Sequence, residues 1–132
     1  LCFPLYACSK EIVKKYKPYL DEIGLTYTQY ITMIVLWENK QMSVKELGKN
    51  LYLDSGTLTP VLKKLEKKGL IKRTRNKDDE RVLHVTLTDS GKALKEKAVS
   101  IPNQMGSCVK LNTEEKKMLY DILYKILGEL DS

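Results

Sequence analysis

Three thiols and one imidazole are the reactive side chains of this 132-residue sequence: Cys2, Cys8, Cys108 and His84. The cysteines are odd in number and none is closely paired, so a secreted disulfide framework is not expected and a reducing, cytoplasmic compartment is. One histidine and three scattered cysteines do not assemble a zinc site, and neither metal nor cofactor is expected. Cys2 precedes Phe3 at the start of an expected helix, where the first turn favours an anion and a thiolate gains reactivity. Such a thiolate attacks a peroxide, becomes a sulfenic acid and can condense with a second thiol. Taken alone, however, a cysteine in such a place is more often a small buried hydrophobe. No Ser/His/Asp set and no phosphate-binding glycine loop is present, so an enzyme is not expected.

A second set of residues suits contact rather than reaction. Ser55, Gly56, Thr57 and Thr59 are short, so a helix opening with them can bring its backbone to the floor of a DNA major groove, where hydroxyls meet base edges or phosphates. Lys63, further along, reaches toward the phosphate backbone. Arg75 and Arg81 border a charged loop, and an arginine there suits the narrow, negative minor groove. Asp79, two residues before Arg81 in an extended segment, is placed to hold its guanidinium. Simple helix capping also explains the Ser/Gly/Thr run, but it leaves the basic loop without a purpose. The net charge of +6 sharpens this. Residues 40–95 carry 14 basic and 7 acidic side chains, the remainder 9 and 10, so the excess positive charge lies wholly in the middle of the chain. That is the footprint of double-stranded nucleic acid as partner, or of a solvated lysine-rich face. The longest apolar stretch, Ile31 to Trp37, is too short to span a membrane.

These residues need elements to hold them. An apolar stripe from Phe3 to Ile23 predicts a helix over residues 1–23, with Pro18 expected to bend or break it and Gly24 to end it. A second helix is expected from Thr28 to Glu38. A third starts at Ser43, where Ser43-Val-Lys-Glu46 forms a capping box. In the next segment Leu58, Val61, Leu62 and Leu65 recur at helical spacing up to Gly69. Pro60 makes its start ambiguous, and local rules favour Thr59, which puts the proline at the first helical position. Ile71–Arg75 and Val82–Leu87 read as two strands joined by a solvent-facing loop, Asn76–Arg81. Thr88 or Asp89 caps a further helix bearing Leu94, Ala98, Ile101 and Met105, interrupted at Pro102. A last helix from about Thr113 has Glu114 and Glu115 at its positive end and a wide apolar face from Met118 to Leu130. The fold class is therefore mostly α with a small β-hairpin wing. The first and last helices carry more apolar surface than one small domain needs, which points to burial between two subunits.

The run Leu51-Tyr-Leu-Asp-Ser-Gly-Thr-Leu-Thr-Pro-Val-Leu-Lys-Lys-Leu-Glu66, with Asp78-Asp-Glu-Arg81 and Leu87-Thr-Asp-Ser-Gly91, resembles the MarR family of winged helix-turn-helix transcriptional regulators. Within it the chain is most similar to the OhrR-like repressors that sense organic hydroperoxide. The resemblance implies a single MarR-type domain over residues 1–132, a homodimer on a pseudo-palindromic operator, and dimerisation helices in 1–24 and 89–132. It implies a DNA-binding lobe over 28–88 whose recognition helix starts near Asp54, against the local reading of Pro60. Leu1-Cys-Phe-Pro-Leu-Tyr6 is similar to the segment that holds the peroxidatic cysteine in these regulators. Tyr16 and Tyr27 match two tyrosines that hydrogen-bond that sulfur across the dimer, although ordinary interface packing also accounts for them. Cys108 falls near a resolving cysteine found in one subgroup, which implies an intersubunit Cys2–Cys108 disulfide. Cys8 departs from the pattern, and packing is its expected role.

The expected function is thus a repressor that releases DNA when Cys2 is oxidised. The alternative on the same architecture is a regulator released by a small aromatic ligand, with Cys2 structural. A thiol peroxidase lacks the residues for a catalytic cycle, and a helical interaction module leaves the basic wing unexplained.

Overall fold

The computed structural model describes residues 1–75, 77–79 and 81–130. The chain divides into two units, Leu1–Ile101 and Pro102–Ser132. The first holds α1 (Cys2–Ile23), α2 (Tyr27–Asn39), β1 (Gln41–Ser43), α3 (Val44–Leu51), α4 (Ser55–Lys67), β2 (Ile71–Arg75), β3 (Leu83–Leu87) and α5 (Asp89–Ala98). α6 (Ile101–Gly106) begins at its end, and α7 (Thr113–Leu130) lies in the second.

Caps define most helix boundaries. Thr26 and Gln29 exchange hydrogen bonds between side chains and backbone N–H groups, at 3.3 and 3.1 Å, and this box starts α2 just before the expected Thr28. Ser43 starts α3 as expected, its Oγ accepting from the Glu46 N–H at 3.1 Å. The Glu46 carboxylate, however, accepts from the Ser43 hydroxyl (3.0 Å), because Ser43 is also the last residue of β1. α1 runs unbroken through Pro18 and stops at Gly24, which adopts a left-handed φ of 70°.

The larger correction concerns α4, which starts at Ser55 with Asp54 as its cap, not at Thr59. Pro60 therefore sits inside the helix, a placement that costs roughly 3 kcal/mol against an ordinary residue. Leu58, Leu62 and Leu65 are all fully buried, and each contributes roughly 1.5–3 kcal/mol. Burial of the stripe wins. The resemblance had the right start because tertiary packing overrides the local rule.

The expected hairpin is present, with Ile71 opposite Leu87 and Arg75 opposite Leu83. β3 starts at Leu83, one residue later than expected. A third strand joins it: β1 pairs antiparallel with the other edge of β3, so the sheet order is β1-β3-β2. At three residues, β1 is too short to show periodicity in sequence. Asn76 and Glu80, in the expected loop, lie outside the described residues.

The hairpin leads into α5 through a tight latch. Thr88 donates its hydroxyl to the Gly69 carbonyl (2.6 Å), its N–H to the Leu70 carbonyl (3.1 Å), and accepts from the Gly91 N–H (3.1 Å). Trp37 Nε1 donates to the Gly91 carbonyl at 2.8 Å. A Cβ on Gly91 would lie 2.1 Å from the Leu70 carbonyl oxygen, so only glycine fits. This is the structural content of the Leu87–Gly91 motif.

Pro102 lies in the first turn of α6, where a missing N–H is harmless, and the break from α5 falls at residues 99–100. In the second unit Asn112 and Glu115 form a reciprocal capping box (2.8 and 3.1 Å) that starts α7. No residue of α7 is buried, and Met118, Leu119, Ile122 and Leu130 are exposed.

Candidate redox centre and nucleic-acid interface

The contact surface grows from the start of α4. The Asp54 carboxylate accepts from the Thr57 N–H at 2.7 Å, and this bond holds its pKa below the ordinary carboxylate value. The cap fixes the first turn with Ser55, Gly56 and Thr57 exposed and Thr59 half-buried, while Lys63 is exposed on a later turn. A Cβ built on Gly56 meets only Asp54 Oδ1, at 3.5 Å, so packing within the chain does not require glycine there.

Beside this turn lies a cleft of about 790 Å³ between α3, α4 and the loop end of the hairpin. Lys45, Lys49, Ser55, Arg75, Arg81 and His84 line it, with Glu46 on the same wall. Arg75 and Arg81 thus share a concave surface with the start of α4. Lys45 and Lys49 were not singled out from the sequence, their signal being the excess positive charge of residues 40–95; His84 was noted there only as an imidazole too isolated to build a zinc site. Asp79 holds Arg81 as expected: Oδ1 accepts from Arg81 Nε at 3.2 Å and from its N–H at 3.1 Å. The Arg81 side chain is 92% exposed, so this pairing orients it without burying it.

A second ion pair, missed in the sequence, braces the hairpin against α4. Glu66 takes both Nε and Nη2 of Arg73 (3.3 and 3.1 Å) and the Arg73 N–H (3.2 Å). The Arg73 contacts hold the Glu66 carboxyl below its usual range. Seven residues and a turn separate the pair, a spacing with no sequence signature.

The thiols are open. Cys2 occupies the first position of α1 and is exposed within the single chain, so the core of its own chain does not bury it. Cys8 is exposed within the single chain too, so its expected packing is not found inside one chain. Cys108 is exposed in the turn after α6, its N–H donating to the Met105 carbonyl at 2.9 Å. Cys2 belongs to the first unit and Cys108 to the second.

Tyr16 from α1 and Tyr27 from α2 meet edge to face, with ring centroids 5.1 Å apart. Tyr30, not foreseen, completes the cluster at 5.8 Å from Tyr16 and 6.4 Å from Tyr27. It lies one turn from Tyr27 on α2, a spacing that ordinary core residues share. Burial pushes all three phenols up, and their mutual repulsion as anions adds to this for Tyr27 and Tyr30. All three therefore stay protonated, and their O–H groups can donate. Cys2 and Tyr16 are 14 residues apart on one continuous helix, so about 21 Å separates them at 1.5 Å per residue. One chain does not bring the thiol to these tyrosines.

A family model described as transcriptional regulator SarA/Rot matches residues 14–98. The organic hydroperoxide resistance transcriptional regulator of Bacillus subtilis is 49% identical over 130 residues, covering 98% of this chain and 88% of the relative. Among solved structures, reduced AbfR bound to DNA superposes with a TM-score of 0.84 at 36% identity, covering 100% of this chain and 92% of the other. The disulfide-formed state of AbfR, a Staphylococcus epidermidis protein, gives 0.67 at 37% identity over 98% and 88%.

Proposed function

Because the chain belongs to the SarA/Rot family of winged-helix transcriptional regulators, with the MarR-like fold, we propose that it binds an operator in double-stranded DNA and releases it when Cys2 is oxidised. The observation that carries the DNA half is the exposed first turn of α4 beside a cleft whose lining includes Lys45, Lys49, Arg75 and Arg81. Ser55, Gly56, Thr57 and Thr59 enter the major groove, Lys63 and Arg75 meet phosphates, and Arg81, oriented by Asp79, reaches the adjacent minor groove. A pseudo-palindromic operator takes two copies. The exposed apolar side chains of α1 and α7 pair to form the homodimer, with 1–24 and 89–132 as the dimerisation segments and 28–88 as the DNA-binding lobe.

The sensing half follows from distance. Cys2 of one copy meets Tyr16 and Tyr27 of the other, since the helix keeps it from its own. There the protonated phenols donate hydrogen bonds to the thiolate. The sulfur attacks the terminal oxygen of an organic hydroperoxide, the O–O bond breaks, the alcohol leaves with a proton, and a sulfenic acid remains. Condensation with the Cys108 thiol of the other copy then expels water and forms a disulfide. The thiol is consumed once per event, so the protein acts as a cytoplasmic, stoichiometric sensor rather than an enzyme. A relative named for organic hydroperoxide resistance, and structures named as reduced and disulfide-formed, support the reading.

A gel shift with a palindromic operator, with and without cumene hydroperoxide, tests it. Wild type releases DNA on treatment and Cys2→Ser stays bound. Release of Cys2→Ser to the same extent would remove Cys2 from sensing and favour a small aromatic ligand as the natural signal.

A further inference from the structure

At the far end of α4 from the DNA-contacting turn, Lys68 caps the helix and its side chain crosses to the turn between α1 and α2. Its ammonium donates to the Gly24 carbonyl and to Gln29 Oε1, the latter at 3.0 Å. Gln29 is 3% exposed, and the same Oε1 accepts from the Thr26 N–H at 3.1 Å. Its own N–H donates to Thr26 Oγ1. Tyr27 lies between these two capping residues. One lysine therefore grips both ends of the short segment that carries a tyrosine of the candidate sensor, across 44 and 39 residues of sequence. Gly24 contributes through its left-handed conformation, which turns its carbonyl out of the end of α1.

We infer that Lys68 is a positioning residue that couples the tyrosine cluster to the recognition helix. The inference rests on the sensing role proposed for Tyr16 and Tyr27. When the hydrogen bonding of Tyr27 changes, the segment 24–29 shifts. The ammonium, tied to two acceptors on it, takes the C-terminal end of α4 along. α4 spans 13 residues, so a tilt imposed at Lys68 reaches Ser55 about 20 Å away. The hydrophobic stripe Leu58, Leu62 and Leu65 makes the helix a rigid transmitter rather than a spring. Linkage makes the coupling reciprocal: DNA on the first turn of α4 must steady the segment 24–29.

Lys68→Met keeps most of the length of the side chain and removes its donors; Lys68→Arg keeps charge and donors. Operator affinity is measured for each in the reduced form and after cumene hydroperoxide. Lys68→Met is expected to bind within threefold of wild type when reduced, while its oxidised-to-reduced Kd ratio falls at least tenfold. Lys68→Arg should restore most of that ratio. An unchanged ratio in Lys68→Met overturns the inference, as does an equal loss of affinity in both redox forms, which would mark a merely structural cap.

Hydrogen exchange supplies a readout that needs no oxidant. Operator binding should slow exchange of the amides of residues 24–29 in wild type and not in Lys68→Met, and equal protection in both would also overturn the inference. Failure of wild type to respond to hydroperoxide sinks the sensing role instead, and leaves the exchange result to decide whether α4 and the turn are coupled.

Discussion

Gly56 offers a case in which stability and function move in opposite directions. It is the second residue of α4, exposed, and not in a left-handed conformation. An added Cβ has only Asp54 Oδ1 near it, at an ordinary 3.5 Å. Gly56→Ala therefore meets no clash in the free protein and restricts the unfolded chain, a gain of roughly 0.4–1 kcal/mol. For a chain of this size that raises the melting temperature by roughly 2–5 °C. On DNA the methyl group stands where the helix backbone approaches the groove floor. A misfit of about 1.4–3 kcal/mol weakens operator binding by roughly tenfold to a hundredfold. Thermal melting and fluorescence-anisotropy titration on the same preparation measure both. A variant that is more stable and binds as tightly as wild type would show that the first turn of α4 does not enter the groove. One that is less stable would show the local geometry of the cap to be wrong.

Arg81→Ala should weaken operator binding, leave melting unchanged and lower the slope of log K against log salt by about one for a single phosphate-proximal charge; an unchanged slope places the wing away from DNA. Gly91→Ala forces a methyl group into the Leu70 carbonyl and should destabilise the protein by roughly 2–3 kcal/mol, read by urea unfolding; a loss under half a kcal/mol would mean that the latch gives way freely. Burial holds the Tyr16, Tyr27 and Tyr30 phenols above 10.0, so the unfolded chain sheds these protons first and stability falls as pH rises past about 10. Tyr30→Phe should flatten that alkaline fall, and identical pH profiles for the two proteins would contradict the assigned cause.

What the sequence made legible was whatever leaves a local mark. Capping residues such as Ser43 and Thr88, the leucine stripe of α4 and the alternation of Leu83, Val85 and Leu87 all write their geometry into neighbouring positions. The Asp79–Arg81 pair was foreseen from an extended segment, but the structure makes it in a turn, where the Val82 N–H donates to the Asp79 carbonyl at 3.0 Å. β1 was not, because three residues carry no period and its strand character comes from Val85 and its neighbours across the sheet. Pro60 misled for the opposite reason: its local signal is strong, but the burial of Leu58, Leu62 and Leu65 outweighs it. Lys68, Arg73 and Tyr30 escaped because their partners are distant in sequence or too ordinary in type to stand out.

The length of α1 carries a genetic consequence. If each sensor joins a cysteine from one copy to tyrosines from the other, two differently damaged copies can repair one another. A cell making both a Cys2→Ser form and a Tyr16→Phe form would assemble mixed pairs with one sound seam and one doubly broken seam. Two alleles that are each deaf alone would together regain part of their hearing.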